Sequence, residues 1–242
     1  VSVKFFWFSL GAARLCLANL LNSGAIHCQH RIELPTGIER QEIICLPQLN
    51  TSTNMTKIKF GTDGWRAIIA EDYTVANVKR VAAGTALWMK DHNADQVVIG
   101  HDARFGGELF ATTTARVMGA YGMKVQLAKG FVSTPMVSLG VVKTNSDLGV
   151  VITASHNPPS YNGFKLKSKL GGPMIPAQVA EVETAIPATV DMELPTLQEM
   201  EAQGLLKYVD LEQIYVDHVT ASFDLESIRN ANFNIAYDAM YG

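Results

Sequence analysis

One segment concentrates residues capable of chemistry: Thr153-Ala154-Ser155-His156-Asn157-Pro158-Pro159-Ser160-Tyr161-Asn162-Gly163-Phe164-Lys165. A serine hydroxyl is a weak nucleophile and needs activation. Esterified to phosphate, the same oxygen bears about −1.5 to −2 charge at neutral pH and needs cations around it. Lys165 supplies one at the end of the segment. Arg66, in Gly61-Thr62-Asp63-Gly64-Trp65-Arg66, is a candidate for another. His156 and Asn157 flank the serine and are candidates to orient it. An acyl-transfer nucleophile fits less well, because no G-x-S-x-G elbow surrounds Ser155 and no acid–histidine pair is evident. Blander readings stand beside these: Lys165 as a solvated lysine, Arg66 as the ion-pair partner of Asp63, and His156 as a hydrogen-bonded loop residue.

The elements that must position these groups follow from the apolar pattern. Asp147 to Thr153 reads as a buried strand, which places Ser155 just past a carboxyl end, where ligands bind in α/β sheets. Two prolines stiffen the loop, and Asn157 before a proline is pushed toward extended conformations. Gly163 permits a tight return into a strand over Phe164–Lys167. Upstream, Ile58–Phe60 reads as a short strand closed by Gly61–Gly64. Thr74 caps a helix to about His92, with Val75, Val78, Ala82, Thr85, Ala86 and Met89 on one face. Gln96–Gly100 is a strand, Glu108–Tyr121 a helix and Met123–Leu127 a strand. Pro135 opens a helix to about Lys143 and Pro176 another to about Ala185. After a looser Pro187–Pro195 come helices near Leu197–Gln203 and Leu211–Ser222, then a strand over Phe233–Asp238. This alternation implies an α/β fold with a mixed sheet. In the loop Gly100-His101-Asp102-Ala103-Arg104, Asp102 and Arg104 read as a paired brace. His92 and His218 read as helix-surface residues.

Composition bounds the rest. The 242 residues carry a net charge of −3, which argues against the basic stripe of a nucleic-acid binder. Cys16, Cys28 and Cys45 all precede Met55, and no cysteine follows it. The body therefore reads as a reduced, cytoplasmic type of protein without a disulfide framework. No Cys/His group has zinc-site spacing. Residues 1–54 differ in composition: the apolar run from Phe5 to Leu21 is broken by Arg14 and is too short for a span of ~20 apolar residues. No membrane partner is expected. The leader reads as sequence outside the fold, with Met55 as an alternative start.

The T-A-S-H-N-P-P-S-Y-N-G-F-K segment resembles the phosphoserine loop of the α-D-phosphohexomutases (phosphoglucomutases and phosphomannomutases). The G-T-D-G-W-R segment resembles that family's N-terminal signature. The resemblance runs from Met55 to Gly242. It implies that Ser155 carries the transferred phosphate and serves as one Mg²⁺ ligand. It also implies that Lys165 takes part in proton transfer or phosphate contact, that Arg66 is an active-site arginine, and that His156 and Asn157 sit beside the phosphoserine. The implied activity interconverts hexose 1- and 6-phosphates through a bisphosphate, with Mg²⁺ and a primer of the glucose 1,6-bisphosphate type. The G-T-D-G-W-R form leans toward glucose or mannose over glucosamine.

Family members have four domains, with a D-x-D-x-D-R metal loop, a sugar-reading loop and a further phosphate loop beyond the first. None of these occurs here. The expected organisation is therefore a leader over 1–54, a first domain over 55–207 and the start of a second over 208–242. The chain alone is expected to be inactive. The alternative is a non-catalytic α/β fragment that binds sugar phosphates weakly. Oligomeric state is not legible.

Overall fold

The computed structural model describes residues 57–238. The leader reading over 1–54 lies outside them. Among the described residues, six strands form one sheet in the order β1-β5-β4-β2-β3-β6. The strands are β1 (Trp65–Ile68), β2 (Gln96–His101), β3 (Lys124–Ala128), β4 (Leu148–Ile152), β5 (Tyr161–Ser168) and β6 (Leu206–Val209). β4, β2, β3 and β6 run parallel, while β5 is antiparallel to both of its neighbours, β4 and β1. The expected mixed α/β fold is the one observed.

The helices are α1 (Val75–Asp91), α2 (Gly107–Ala120), α3 (Thr134–Lys143), α4 (Pro176–Ala185), α5 (Leu197–Ala202), α6 (Leu211–Ser222) and α7 (Leu225–Asn230). Their starts carry the expected chemistry. Thr74 accepts a hydrogen bond from the Asn77 N–H at 3.2 Å, as an N-cap should. Thr196 and Glu199 close a reciprocal capping box at α5.

Alternation along the strands builds two cores. On one face Val97, Ile99, Val125, Leu127, Val150 and Ile152 pack with α1 and α2. On the other, Val98, Ala128 and Val151 meet Val137 and Val141 of α3 and Leu211 of α6. β4 is buried along its whole length, as a central parallel strand should be.

Three strand expectations change. Ile58 and Phe60 are buried, but residues 57–60 join no ladder; they pack into the core as extended chain. The first strand comes after the Gly61–Gly64 turn, over Trp65–Ile68, where alternating burial identifies it. Phe233–Asp238 pairs with no described strand, and Phe233, Ile235 and Tyr237 are exposed. β6 has no counterpart in the sequence reading. It is a four-residue edge strand with Lys207 and Tyr208 exposed, too short and too polar to stand out.

β5 is the element that matters for the site. Across it, Arg66 of β1 stands opposite Gly163, and Val151 of β4 opposite Lys165. A Cβ on Gly163 would lie 2.6 Å from the Thr153 carbonyl oxygen and 3.0 Å from both the Trp65 carbonyl and the Arg66 side chain. The first two are backbone atoms, which yield little. Gly163→Ala should therefore cost about 2–3 kcal/mol, at the upper end for overpacking. Urea melts of parent and variant check this; equal midpoints would show that the three backbones separate freely.

Candidate active site

β4 ends at Ile152, and the chain leaves the sheet through buried Thr153 and Ala154 before exposing Ser155. The Thr153 N–H still donates to the Gly163 carbonyl at 3.0 Å, so the loop starts from a fixed edge. Ser155 has φ of 56°, the left-handed region that few non-glycine residues occupy. Its N–H donates to Thr153 Oγ1 at 3.0 Å, and the Thr153 hydroxyl in turn donates to Asp102 Oδ2. The loop closes through Asn157 N–H to the Ala154 carbonyl at 3.1 Å and Tyr161 N–H to the Pro158 carbonyl at 3.0 Å.

The cations arrive from two neighbouring strands. Arg66 of β1 crosses above Gly163, and its Nη1 donates to Asn157 Oδ1 at 2.7 Å. Its Nη2 lies 3.9 Å from Asp63 Oδ2. Lys165 of β5 donates from Nζ to the same Asp63 oxygen at 2.6 Å. Lys165 is only 4% exposed, so it is not a solvated lysine. Asp63 sits in a turn whose next residue, Gly64, has φ of 102°, and a Cβ there would strike the Phe164 carbonyl at 2.7 Å. The turn thus presses Asp63 onto β5.

The electrostatics follow from that packing. Burial pushes the Asp63 carboxyl up, but the Lys165 hydrogen bond and charge, with Lys167 and Arg66, outweigh it and hold the group below the usual carboxylate range. Lys167 follows Lys165 by two residues on the same strand face and is 5% exposed. Burial holds its ammonium below the usual lysine range; Asp63 opposes the shift and Lys165 adds to it.

The sequence candidates therefore converge unequally. Ser155, Asn157, Arg66 and Lys165 form one neighbourhood with Asp63. His156 is exposed, with Nδ1 3.5 Å from Ser155 Oγ, longer than an ordinary hydrogen bond between them. The Asp102–Arg104 brace is present at 3.6 Å. Its reach into the serine loop had no local sequence signal, because the contact joins the ends of β2 and β4, far apart in the chain. Lys167 was findable from the period-two alternation that places it beside Lys165. Both histidines read as surface residues, His92 and His218, are exposed. His92 follows α1 and stacks on Trp88 at 4.2 Å.

Among the described residues no group of three His, Cys, Asp or Glu side chains is placed to hold a metal ion. Asp63 and Asp102, the acids near Ser155, are each engaged by cations. These residues do not by themselves fit a Mg²⁺ site, and no step is routed through one. No described helix is long and apolar enough to cross a membrane.

Comparison with known proteins gives a consistent set. The family model described as "Phosphoglucomutase/phosphomannomutase, alpha/beta/alpha domain I" matches residues 57–191. A phosphoglucomutase of Staphylococcus saprophyticus is 32% identical over 163 residues, covering 64% of this chain and 29% of that protein. A phosphoglucosamine mutase of Limosilactobacillus reuteri is 34% identical over 182 residues, covering 70% and 38%. The crystal structure of a "putative phosphomannomutase" from Thermus thermophilus superimposes with a TM-score of 0.65 at 32% identity, covering 72% of this chain and 38% of that one. The chain thus spans about a third of the length of the curated relatives it matches.

The buried lysine has a measurable consequence. Its folded-state pKa lies below the ~10.4 of an unfolded chain. Between the two values the unfolded state binds more protons, so stability rises with pH through that window. Lys167→Met removes this dependence. The variant should exceed the parent in stability at pH 7, and its advantage should shrink as the pH approaches ~10.4. Urea midpoints at pH 7 and pH 10 check this; an advantage that grew with pH would reverse the sign.

Proposed function

We propose that this chain, which belongs to the phosphoglucomutase/phosphomannomutase family, carries the phosphoryl group of a sugar-phosphate mutase on Ser155. The observation behind this reading is an exposed serine at the carboxyl end of a buried strand, held in a left-handed conformation in a loop whose Asn157 accepts a hydrogen bond from Arg66, with Lys165 of β5 and Arg66 both drawn to Asp63. Such a conformation costs a non-glycine residue about 1–3 kcal/mol and is found where the surroundings over-determine it, active sites among them.

In the proposed reaction, a sugar hydroxyl attacks the phosphorus on Ser155. The bond from phosphorus to the serine oxygen breaks, and the hydroxyl proton passes to that oxygen, leaving free Ser155 and a sugar bisphosphate. The bisphosphate reverses, and its other phosphate returns to Ser155. Such transfers depend on positioning and on neutralising the equatorial oxygens. Arg66 has donors beyond the one given to Asn157 and would contact the phosphate. Lys165, fixed on Asp63, would neutralise charge or give a proton as its ion pair opens. Asn157 would hold Arg66 in place, and His156 would act at the loop's outer side. The Ser155 phosphate would contribute one ligand to Mg²⁺, the others coming from groups beyond the described residues.

The substrates proposed are hexose 1- and 6-phosphates, with a bisphosphate primer, in the cytoplasm. The relatives bear the names of mutases for glucose, mannose, glucosamine and ribose phosphates, yet they match similar shares of this chain at similar identity. The part they share would therefore handle the phosphate and leave the choice of sugar to other groups. By itself the chain should turn over well below ~1 s⁻¹, the low end for ordinary enzymes.

Incubation with glucose 1,6-bisphosphate should leave one phosphate on Ser155 by peptide mass spectrometry. Ser155→Ala should abolish it with melting unchanged. A phosphate found on another residue would sink the assignment. Lys165→Ala should lower the labelling rate by ~10²–10⁴-fold, as for a group acting in the transition state. Labelling at the parent rate would make Lys165 a packing residue.

A further inference from the structure

We infer that Arg104 is a positioning residue that sets the conformation of Ser155 from the neighbouring strand; the catalytic half of this inference rests on Ser155 as phosphate carrier. Arg104 follows β2, whose end lies beside that of β4: His101 pairs with Ile152. From there its guanidinium faces four carbonyl oxygens, three in the serine loop and one at the start of β5. Nη2 donates to Ser155 at 2.7 Å and to Asn157 at 2.7 Å. Nη1 donates to Pro158 at 2.9 Å and to Tyr161 at 3.2 Å. Nε points to Asp102 Oδ2 at 3.6 Å.

The four Nη hydrogens of the group are thus all given to carbonyls, while Nε lies within ion-pair range of Asp102 but beyond hydrogen-bond range. Arg104 therefore has no Nη donor left for a ligand, unlike Arg66. Its charge is spent on the loop's own carbonyls, which two prolines have left without many N–H partners. Pro158 and Pro159 offer no N–H to the loop, so its carbonyls need an outside donor.

Asp102 completes the device. Its Oδ1 accepts from the Arg104 N–H at 3.1 Å, and its Oδ2 accepts the Thr153 hydroxyl. Thr153 Oγ1 then accepts the Ser155 N–H at 3.0 Å. The peptide units on both sides of Ser155 are thus fixed from one cluster, the N–H side through Asp102 and Thr153 and the carbonyl side through Arg104. That is what fixes φ at 56° without a glycine. Because a trans peptide points its C=O and N–H in opposite directions, the His156 N–H faces away from the guanidinium, toward the outer side of the loop. A lysine would place one compact charge where a planar fork now spans four acceptors.

The test uses the 242-residue chain with Arg104→Gln and Arg104→Lys. Amide exchange over 154–161 should quicken at least ~10-fold in both, with the melting temperature little moved, since the loop lies outside both cores. Ser155 labelling by glucose 1,6-bisphosphate should fall ~10²-fold in its maximal rate, the scale of a 1 Å misplacement. The donor concentration at half-maximal rate should stay near the parent's, and guanidinium ion should partly rescue Arg104→Gln. Unchanged loop exchange would overturn the inference, as would loss of the whole fold in both variants. If the parent itself took no phosphate, the carrier reading would fail, while the exchange result would still decide the role of Arg104.

Discussion

Three backbones meet at Gly163. β5 is driven antiparallel between β4 and β1, and its third residue passes so close to both that no side chain fits. That crowding makes the site. It lets Arg66 cross from β1 to the far side of β5 and reach Asn157 in the serine loop. It sets Lys165, two residues along, on the same face and under Asp63. It ties the first residue of the loop, Thr153, to β5 by a backbone hydrogen bond. The geometry around Ser155 is thus a consequence of how one strand is inserted.

The charges then divide into two offices. Four cationic side chains gather around two carboxylates: Arg66, Lys165 and Lys167 around Asp63, and Arg104 beside Asp102. Arg104 and Asp102 neutralise each other and serve the loop backbone. Among the described residues Lys165, Lys167 and Arg66 act together on one carboxylate, Asp63. Burial is what disfavours the Lys167 ammonium; Asp63 opposes that shift and Lys165 adds to it.

Much of this is legible in sequence. The placement of Ser155 can be read because a buried strand followed by two prolines and a returning lysine puts the serine in a loop at the strand's carboxyl end, as observed. Helix positions are legible because Thr74, Pro135 and Pro176 mark starts by chemistry that acts within a few residues. What stays hidden acts across the chain. β1 escapes a sequence reading because its four residues carry an arginine, and only its alternating burial against β5 identifies it. Phe233–Asp238 reads as a strand from its own residues, but a strand needs a partner to supply its hydrogen bonds.

Arg104 shows the same limit in its sharpest form. Its pairing with Asp102 is readable, since little chain separates the two. Its hold on carbonyls more than fifty positions away is not, because a carbonyl belongs to every residue and leaves no trace in composition. The same features explain why the strain at Ser155 is stable. A left-handed serine loses free energy, and the folded state must supply it from bonds that an extended serine would not make. Charge-assisted bonds to backbone carbonyls are about twice as strong as neutral ones. Arg104 makes four, three to the loop that carries Ser155 and one to Tyr161, where β5 begins. A loop stiffened by prolines but lacking that guanidinium would still be rigid, yet nothing would choose the left-handed conformation over the extended one. Stiffness and direction are separate requirements here: Pro158 and Pro159 meet the first, and Arg104 with Asp102 meets the second.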